Sequence, residues 1–275
     1  MSSSFKKKTS KQLKTYLAIL LPVLAVLLLL AVILTLGKFN AERPTETQSS
    51  TTTTVAEDTT EEVQTEPEET QPPESTEPPR VGIDVSEHQK NIDWEQVKAS
   101  GVDFVMIRLG YRGYTEGRLY MDTYFDQHYR NAKEAGLDVG VYFFSQATTV
   151  KEARSEARFV LTVLGWRELD MGIAFDWEFV NGDARTAAMD GRTMTDCAIT
   201  FCDIIADAGH KPLVYFNQYQ VDNYYILDDL TAYDFWLAKY ADEMNFDYPV
   251  KMWQYTDSGT IPGIPIPVDV NLYWP

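Results

Sequence analysis

The chain has 275 residues, a formal net charge of −17 and 13% aromatic residues, enough for one large domain with appendages. The charge is uneven: the first 36 residues hold five lysines and no acid (+5), residues 37–80 carry −8, and residues 81–275 carry −14. An acidic globular segment excludes nucleic acid as a partner, because phosphate binding needs a basic face, and it disfavours adsorption on anionic lipid.

Residues 1–15 read as a basic cytoplasmic tail. Tyr16 to Leu36 is an apolar run broken only by Pro22 and Thr35, and about 20 such residues span a bilayer as a helix. The preceding lysines place the N-terminus in the cytoplasm and everything after residue 37 outside. The run exceeds the 7–15 apolar residues typical of a cleaved signal peptide, so an uncleaved signal anchor is expected, with a single pass through the cell membrane. Residues 37–80 are rich in Thr, Glu, Pro, Ser and Gln, with Phe39 as the only aromatic. That composition cannot bury enough apolar surface to fold and reads as a disordered linker, with a reach of roughly 35–40 Å as a flexible coil.

From Val81 onward short apolar runs alternate with amphipathic segments. The pattern predicts strands at 81–85, 104–109, 138–144, 172–177, 212–216, 235–239, 251–255 and 268–273. Helices are predicted near 93–100, 121–136, 150–165 and 194–209, with Gly101, Gly136 and Gly209 at C-terminal cap positions. The β-α alternation implies a parallel sheet, and about eight strands in this length suggest a compact barrel of the α/β class. No long helices separate the later strands.

In such a barrel, functional groups gather at the C-terminal ends of strands. The fourth strand, Gly172-Ile173-Ala174-Phe175-Asp176-Trp177-Glu178, ends in two carboxylates. Alternation puts Asp176 and Glu178 on one face and Trp177 on the other. Neighbouring carboxyls at a sheet mouth suit glycosidic cleavage, where one is held protonated and the other ionised. The same rule selects Asp84 on the first strand and Asp269 on the last. Tyr142, Phe144, Tyr215, Trp236, Tyr240 and Gln254 also lie near strand ends, as a surface for sugar rings and hydroxyls.

Cys197 and Cys202, five apart on a predicted helix, diverge around its axis and are expected to be core residues rather than a disulfide. The three histidines have no zinc-ligand spacing, and no Gly-x-Ser-x-Gly elbow is present. No metal or cofactor is expected.

The segment 81–275 resembles the family 25 glycoside hydrolases, the Chalaropsis-type lysozymes. The resemblance rests on Gly82-Ile83-Asp84-Val85-Ser86, Ile92-Asp93-Trp94, Gly140-Val141-Tyr142-Phe143, Asp176-Trp177-Glu178, Trp236-Leu237-Ala238-Lys239-Tyr240, Trp253-Gln254-Tyr255 and Val268-Asp269-Val270-Asn271. It implies a flattened, TIM-like (β/α)5(β)3 barrel and hydrolysis of the β-1,4 bond between N-acetylmuramic acid and N-acetylglucosamine in peptidoglycan. By position it makes Glu178 the general acid, Asp176 the group that assists the substrate's acetamido function, and Asp84 and Asp269 supporting aspartates. The implied partners are peptidoglycan strands and, through the N-terminal helix, the membrane, with the domain monomeric. Two other readings remain. One is a catalytically silent, membrane-tethered wall-binding protein. The other is a chitinase-like barrel, whose Asp-Gly-x-Asp-x-Asp-x-Glu signature loses two aspartates here, to Met171 and Ala174.

Overall fold

The computed structural model describes residues 77–180 and 184–275. The basic tail, the apolar run 16–36 and the linker up to residue 76 lie outside the described residues. Among the described residues no helix is long and apolar enough to cross a membrane.

Among the described residues nine strands form one sheet: β1 (Arg80–Val85), β2 (Phe104–Arg112), β3 (Leu119–Met121), β4 (Asp138–Ser145), β5 (Ile173–Trp177), β6 (Pro212–Asn217), β7 (Asp234–Ala238), β8 (Met252–Gly259) and β9 (Val268–Tyr273). Five helices intervene: α1 (Trp94–Ala99), α2 (Phe125–Glu134), α3 (Val150–Leu164), α4 (Gly191–Asp207) and α5 (Gln218–Asn223). A 3-10 turn follows α5 at Leu227–Leu230. The strand order β1-β9-β8-β7-β6-β5-β4-β2 closes on itself through the parallel β1–β2 pair, and β3 hangs from β2 as an antiparallel hairpin arm. Pairing is parallel from β1 through β8, whereas β9 runs antiparallel to both β8 and β1. Each of β1, β2, β4, β5 and β6 is followed by a helix, directly or after the β3 hairpin. No α-helix lies between β7, β8 and β9.

Alternation along the strands sorts side chains into two cores. Val105, Ile107, Val141, Phe143, Ile173, Phe175, Trp177, Val214 and Phe216 point outward and pack with the helices. Phe104, Met106, Ala174, Leu213, Tyr215, Trp236 and Met252 fill the barrel interior. Gly82 belongs to this inner layer: a Cβ there would lie 2.2 Å from the Phe104 ring, so only glycine lets that ring pass. Above the inner layer, at the C-terminal strand ends, the interior turns polar.

The helices start where side chains cap them. Asp93, Thr149 and Asp190 accept from the backbone amides of Gln96, Glu152 and Thr193 at the starts of α1, α3 and α4. The helices α2 and α4 are followed by Gly136 (φ 76°) and Gly209 (φ 85°), the left-handed positions expected of them. Cys197 and Cys202 are buried and unpaired on α4.

Several boundaries differ from expectation: β2 runs on to Arg112 rather than 109 and β8 to Gly259 rather than 255, and three further differences have a visible cause. Arg80, assigned to the linker, is the first residue of β1: it pairs with Tyr273, and its guanidinium bridges Asp138 at 2.6 Å. The helix α2 begins at Phe125 rather than 121, because Asp122 folds back to accept the Tyr124 amide and so makes a turn first. The helix α4 begins three residues early, at Gly191, because its cap is Asp190.

Candidate active site

The four acids picked from strand ends converge on one groove. Asp84 and Asp269 are direct partners in the β1–β9 ladder. Asp176 is the last β5 residue in register with β6, opposite Tyr215. Glu178 lies one residue beyond the strand. Two cavities, of about 710 and 200 Å³, share Asp84, Tyr142, Asp176, Glu178 and Asp269 in their walls. The acids therefore sit at the junction of a continuous cleft. The larger lobe runs past Phe144, Arg108, Tyr111 and the 113–116 loop. The smaller is closed by Tyr215, Trp236, Tyr240 and Gln254.

All four carboxyls have pKa values above the usual carboxylate range, and burial is the first cause in each. For Asp84 the negative charge of Asp269 adds to burial, while amide hydrogen bonds from Gln254 Nε2 (2.9 Å) and Asn271 Nδ2 (2.8 Å) oppose it. The neighbouring Asp84 carboxyl in turn lowers Asp269, whose own rise comes first from burial. Burial and the charges of Glu178 and Asp84 raise Asp176, with Arg108 opposing. Glu178 is raised by burial and then by Asp269. Asp176 Oδ1 is buried and has no hydrogen-bond partner among the described residues. A buried acceptor without a donor is costly unless a ligand supplies one.

The ring of residues predicted to bind sugar divides by exposure. Tyr240 is exposed (56%), Tyr142 and Phe144 are partly exposed, and Trp236 (2%) and Tyr215 (7%) are buried. The buried pair brace the acids. Tyr215 and Tyr240 hydroxyls each donate to Gln254 Oε1 at 3.1 Å, which turns the Gln254 amide N–H toward Asp84. The Trp236 indole N–H donates to Asn271 Oδ1 at 2.8 Å, which likewise turns the Asn271 amide toward Asp84.

Sequence reasoning passed over Asn271 as a ligand of Asp84, although the β-strand period puts it on the same face as Asp269. It also passed over Arg108, which enters the larger lobe clamped by Glu87 (3.2 Å) and Asp122 (2.8 Å) and stacked on Tyr111. Arg108 sits on the inner face of β2 with Phe104 and Met106, so a cation continuing an inward apolar series was the available signal.

Comparison with known proteins places this geometry. The sequence profile described as "Glycosyl hydrolases family 25" matches residues 83–264. The autolytic lysozyme of Clostridium acetobutylicum is 29% identical over 192 residues, covering 69% of this chain and 54% of the relative. The chain thus spans about half the length of that protein. Among solved structures, the modular autolysin LytC of Streptococcus pneumoniae, in complex with a synthetic peptidoglycan ligand, superposes with a TM-score of 0.63 at 27% identity. That match covers 71% of this chain and 47% of LytC. A family 25 glycosyl hydrolase from Bacillus anthracis shares the fold, with a TM-score of 0.62 at 21% identity over 71% of this chain and 89% of that one. With the profile spanning most of the barrel and the groove acids inside or just beyond it, this chain belongs to glycosyl hydrolases family 25.

Proposed function

We propose that the barrel is a lysozyme that cleaves the β-1,4 bond between N-acetylmuramic acid and N-acetylglucosamine in peptidoglycan. The observation that carries this reading is the buried Asp176 Oδ1, without a partner among the described residues, at the same cleft junction as Glu178, whose pKa burial and Asp269 raise. In this scheme Glu178 gives its proton to the leaving glycosidic oxygen as the C1–O bond breaks. The muramyl acetamido oxygen closes on C1, so no enzyme nucleophile is needed, an arrangement known among substrate-assisted glycosidases. Asp176 accepts the acetamido N–H and stabilises the positive charge that develops in the ring so formed. Glu178, now ionised, takes a proton from water as that water opens the ring, which restores the acid and retains configuration at C1. Asp84 and Asp269 hold the floor of the groove, and exposed Tyr240 with Tyr142 and Phe144 offers faces to the sugars.

The relatives support a wall substrate, one being named an autolytic lysozyme and another having been solved with a peptidoglycan ligand. The test is mass spectrometry of muropeptides released from purified peptidoglycan. The expected products end in reducing N-acetylmuramic acid; reducing N-acetylglucosamine ends would overturn the bond assignment.

The membrane anchor and its linker extend this proposal. Walls are often anionic, so a domain at −14 gains nothing from charge attraction, whereas a tether supplies high local concentration. In this reading the enzyme trims the cell's own wall from the membrane side. Deleting residues 45–75 should lower wall turnover in cells and leave the rate in solution unchanged; equal turnover in cells would remove the tether from the mechanism.

A further inference from the structure

The strand that carries the acids ends before Glu178 does. On the β4 side the last β5 pair is Ser145–Trp177, and on the β6 side it is Asp176–Tyr215. From there β6 runs on through Phe216 and Asn217 in register with β7 instead. Glu178 therefore lies past the ladder, and among the described residues no hydrogen bond fixes its carboxyl. Its aim depends on its backbone.

That backbone is gripped from both sides by amide side chains. Gln146 Nε2 donates to the Glu178 carbonyl at 2.9 Å, and Gln220 Nε2 donates to the Trp177 carbonyl. The two glutamines come from matching places: Gln146 directly follows β4, and Gln220 lies in the first turn of α5 after β6. They stand in for the two ladders where each leaves off. Both are buried, at 0% and 1% exposure.

Neither amide is free to turn. Gln146 Nε2 also donates to the Ser145 carbonyl, and its Oε1 accepts from Thr186 Oγ1, each at 2.9 Å. Gln220 Oε1 accepts the Asn217 amide, while Asn217 Oδ1 accepts the Gln220 amide in a capping box. Flipping Gln220 would present N–H to the Asn217 N–H, and flipping Gln146 would set its oxygen against the Ser145 and Glu178 carbonyls; either leaves a buried acceptor orphaned. An apolar side chain of similar length would fill the same space, so packing alone does not call for an amide here.

We infer that Gln146 and Gln220 are positioning residues for the proton donor: they set the backbone at Trp177 and Glu178 so that the Glu178 carboxyl points at the scissile oxygen. This rests on the reading of Glu178 as the acid. A proton donor displaced by a fraction of an ångström loses much of its effect while substrate binding is preserved.

The test uses the full-length chain with Gln146→Met and Gln220→Met, each assayed on two substrates. One is purified glycan strand, whose sugar leaving group needs a proton. The other is the N-acetylglucosaminyl-N-acetylmuramyl disaccharide with a 4-nitrophenyl group at the muramyl C1, whose phenolate leaves with little protonation. On glycan strand kcat should fall about 10- to 100-fold, part of the 10²–10⁴ that general acid catalysis supplies, with KM changed less than about twofold. On the aryl glycoside kcat/KM, which reports bond breaking and not the later water step that also uses Glu178, should stay within about threefold. The ratio of the two rates in one preparation is independent of how much protein is folded. Equal losses on both substrates, or no loss on either, would overturn the positioning role. If Glu178→Gln itself lowers kcat/KM equally on both substrates, the acid assignment fails instead, whatever the glutamine variants do.

Discussion

Glu178→Gln is expected to lower glycan-strand cleavage by about 10³-fold, within the span that a general acid supplies, with the barrel still folded. The substitution is isosteric and removes only the transferable proton. Because burial and Asp269 hold the Glu178 pKa above its usual value, the folded state favours the neutral form. For an acid with a raised pKa, stability is greatest below its unfolded value and declines as pH climbs through its folded value. A neutral glutamine escapes that decline, so the variant should melt at or above the wild type on the alkaline side. Release of reducing ends together with thermal melts measures both quantities, and a rate within tenfold of wild type would remove Glu178 from the acid role. The companion variant Asp269→Asn deletes the second cause of the Glu178 shift. Its alkaline limb in the pH–rate profile should move to lower pH, and an unmoved limb would mean that the acid does not feel Asp269.

The second large effect is on stability and lies behind the groove wall. Arg112 is buried (5%) and donates to Glu156 Oε1 (2.6 Å), the Gly117 carbonyl (2.6 Å), the Glu152 carbonyl (3.0 Å) and Ser155 Oγ (2.8 Å). Glu156 also accepts from Ser145 Oγ at 2.6 Å, and burial outweighs its cationic neighbour, pushing its pKa up to about 7. Arg112→Met should cost about 3 kcal/mol, the lower end for breaking a buried pair, because Glu156 can take up a proton instead of remaining charged. For a domain of this size that corresponds to a Tm lower by roughly 6–12 °C. The pH dependence has a definite sign. Without Arg112 the Glu156 pKa rises further, so the deficit should be smaller at pH 5, where the carboxyl is already neutral, than at pH 8. Melts at the two pH values decide the matter: a deficit that is equal or larger at pH 5 would mean that the charge on Glu156 is not what Arg112 compensates.

Arg112, Glu156 and the two glutamines were not legible in the sequence, whereas the four groove acids were. The acids declare themselves because a two-residue period with a carboxylate where an apolar residue belongs is a local signal. Asp84 and Asp176 each interrupt such a series near the C-terminal end of a strand, whereas Asp269 stands at the start of β9, whose antiparallel course brings that end to the same rim. The eight barrel strands were legible for the same reason. The three-residue β3, the short α5 and the 3-10 turn were not, being too brief to show a period. Gln146 and Gln220 satisfy carbonyls 32 and 43 positions away, and nothing in the neighbourhood of a glutamine records which distant carbonyl it will meet. For Gln220 half of its role was within reach, since Asn217 followed three residues later by Gln is a capping-box pattern. Arg112 and Glu156 each look like surface charges on β2 and α3, and only the packing of α3 against the barrel buries them together.

The place of β9 in the barrel bears on when this protein becomes active during its own synthesis. β9 is the last strand to be made and sits between β1 and β8, so the ring has a gap until it arrives. Asn271 reaches Asp84 across 187 positions of chain, and Asp269 meets Asp84 in the same ladder. Contacts this distant in sequence form late and slowly. A nascent chain with everything up to β8 already folded would still present Asp84 without its amide donor and Asp176 beside an unfinished floor. The groove is therefore completed with β9, as a single event at barrel closure, and a polypeptide that stops short of that strand has no finished floor.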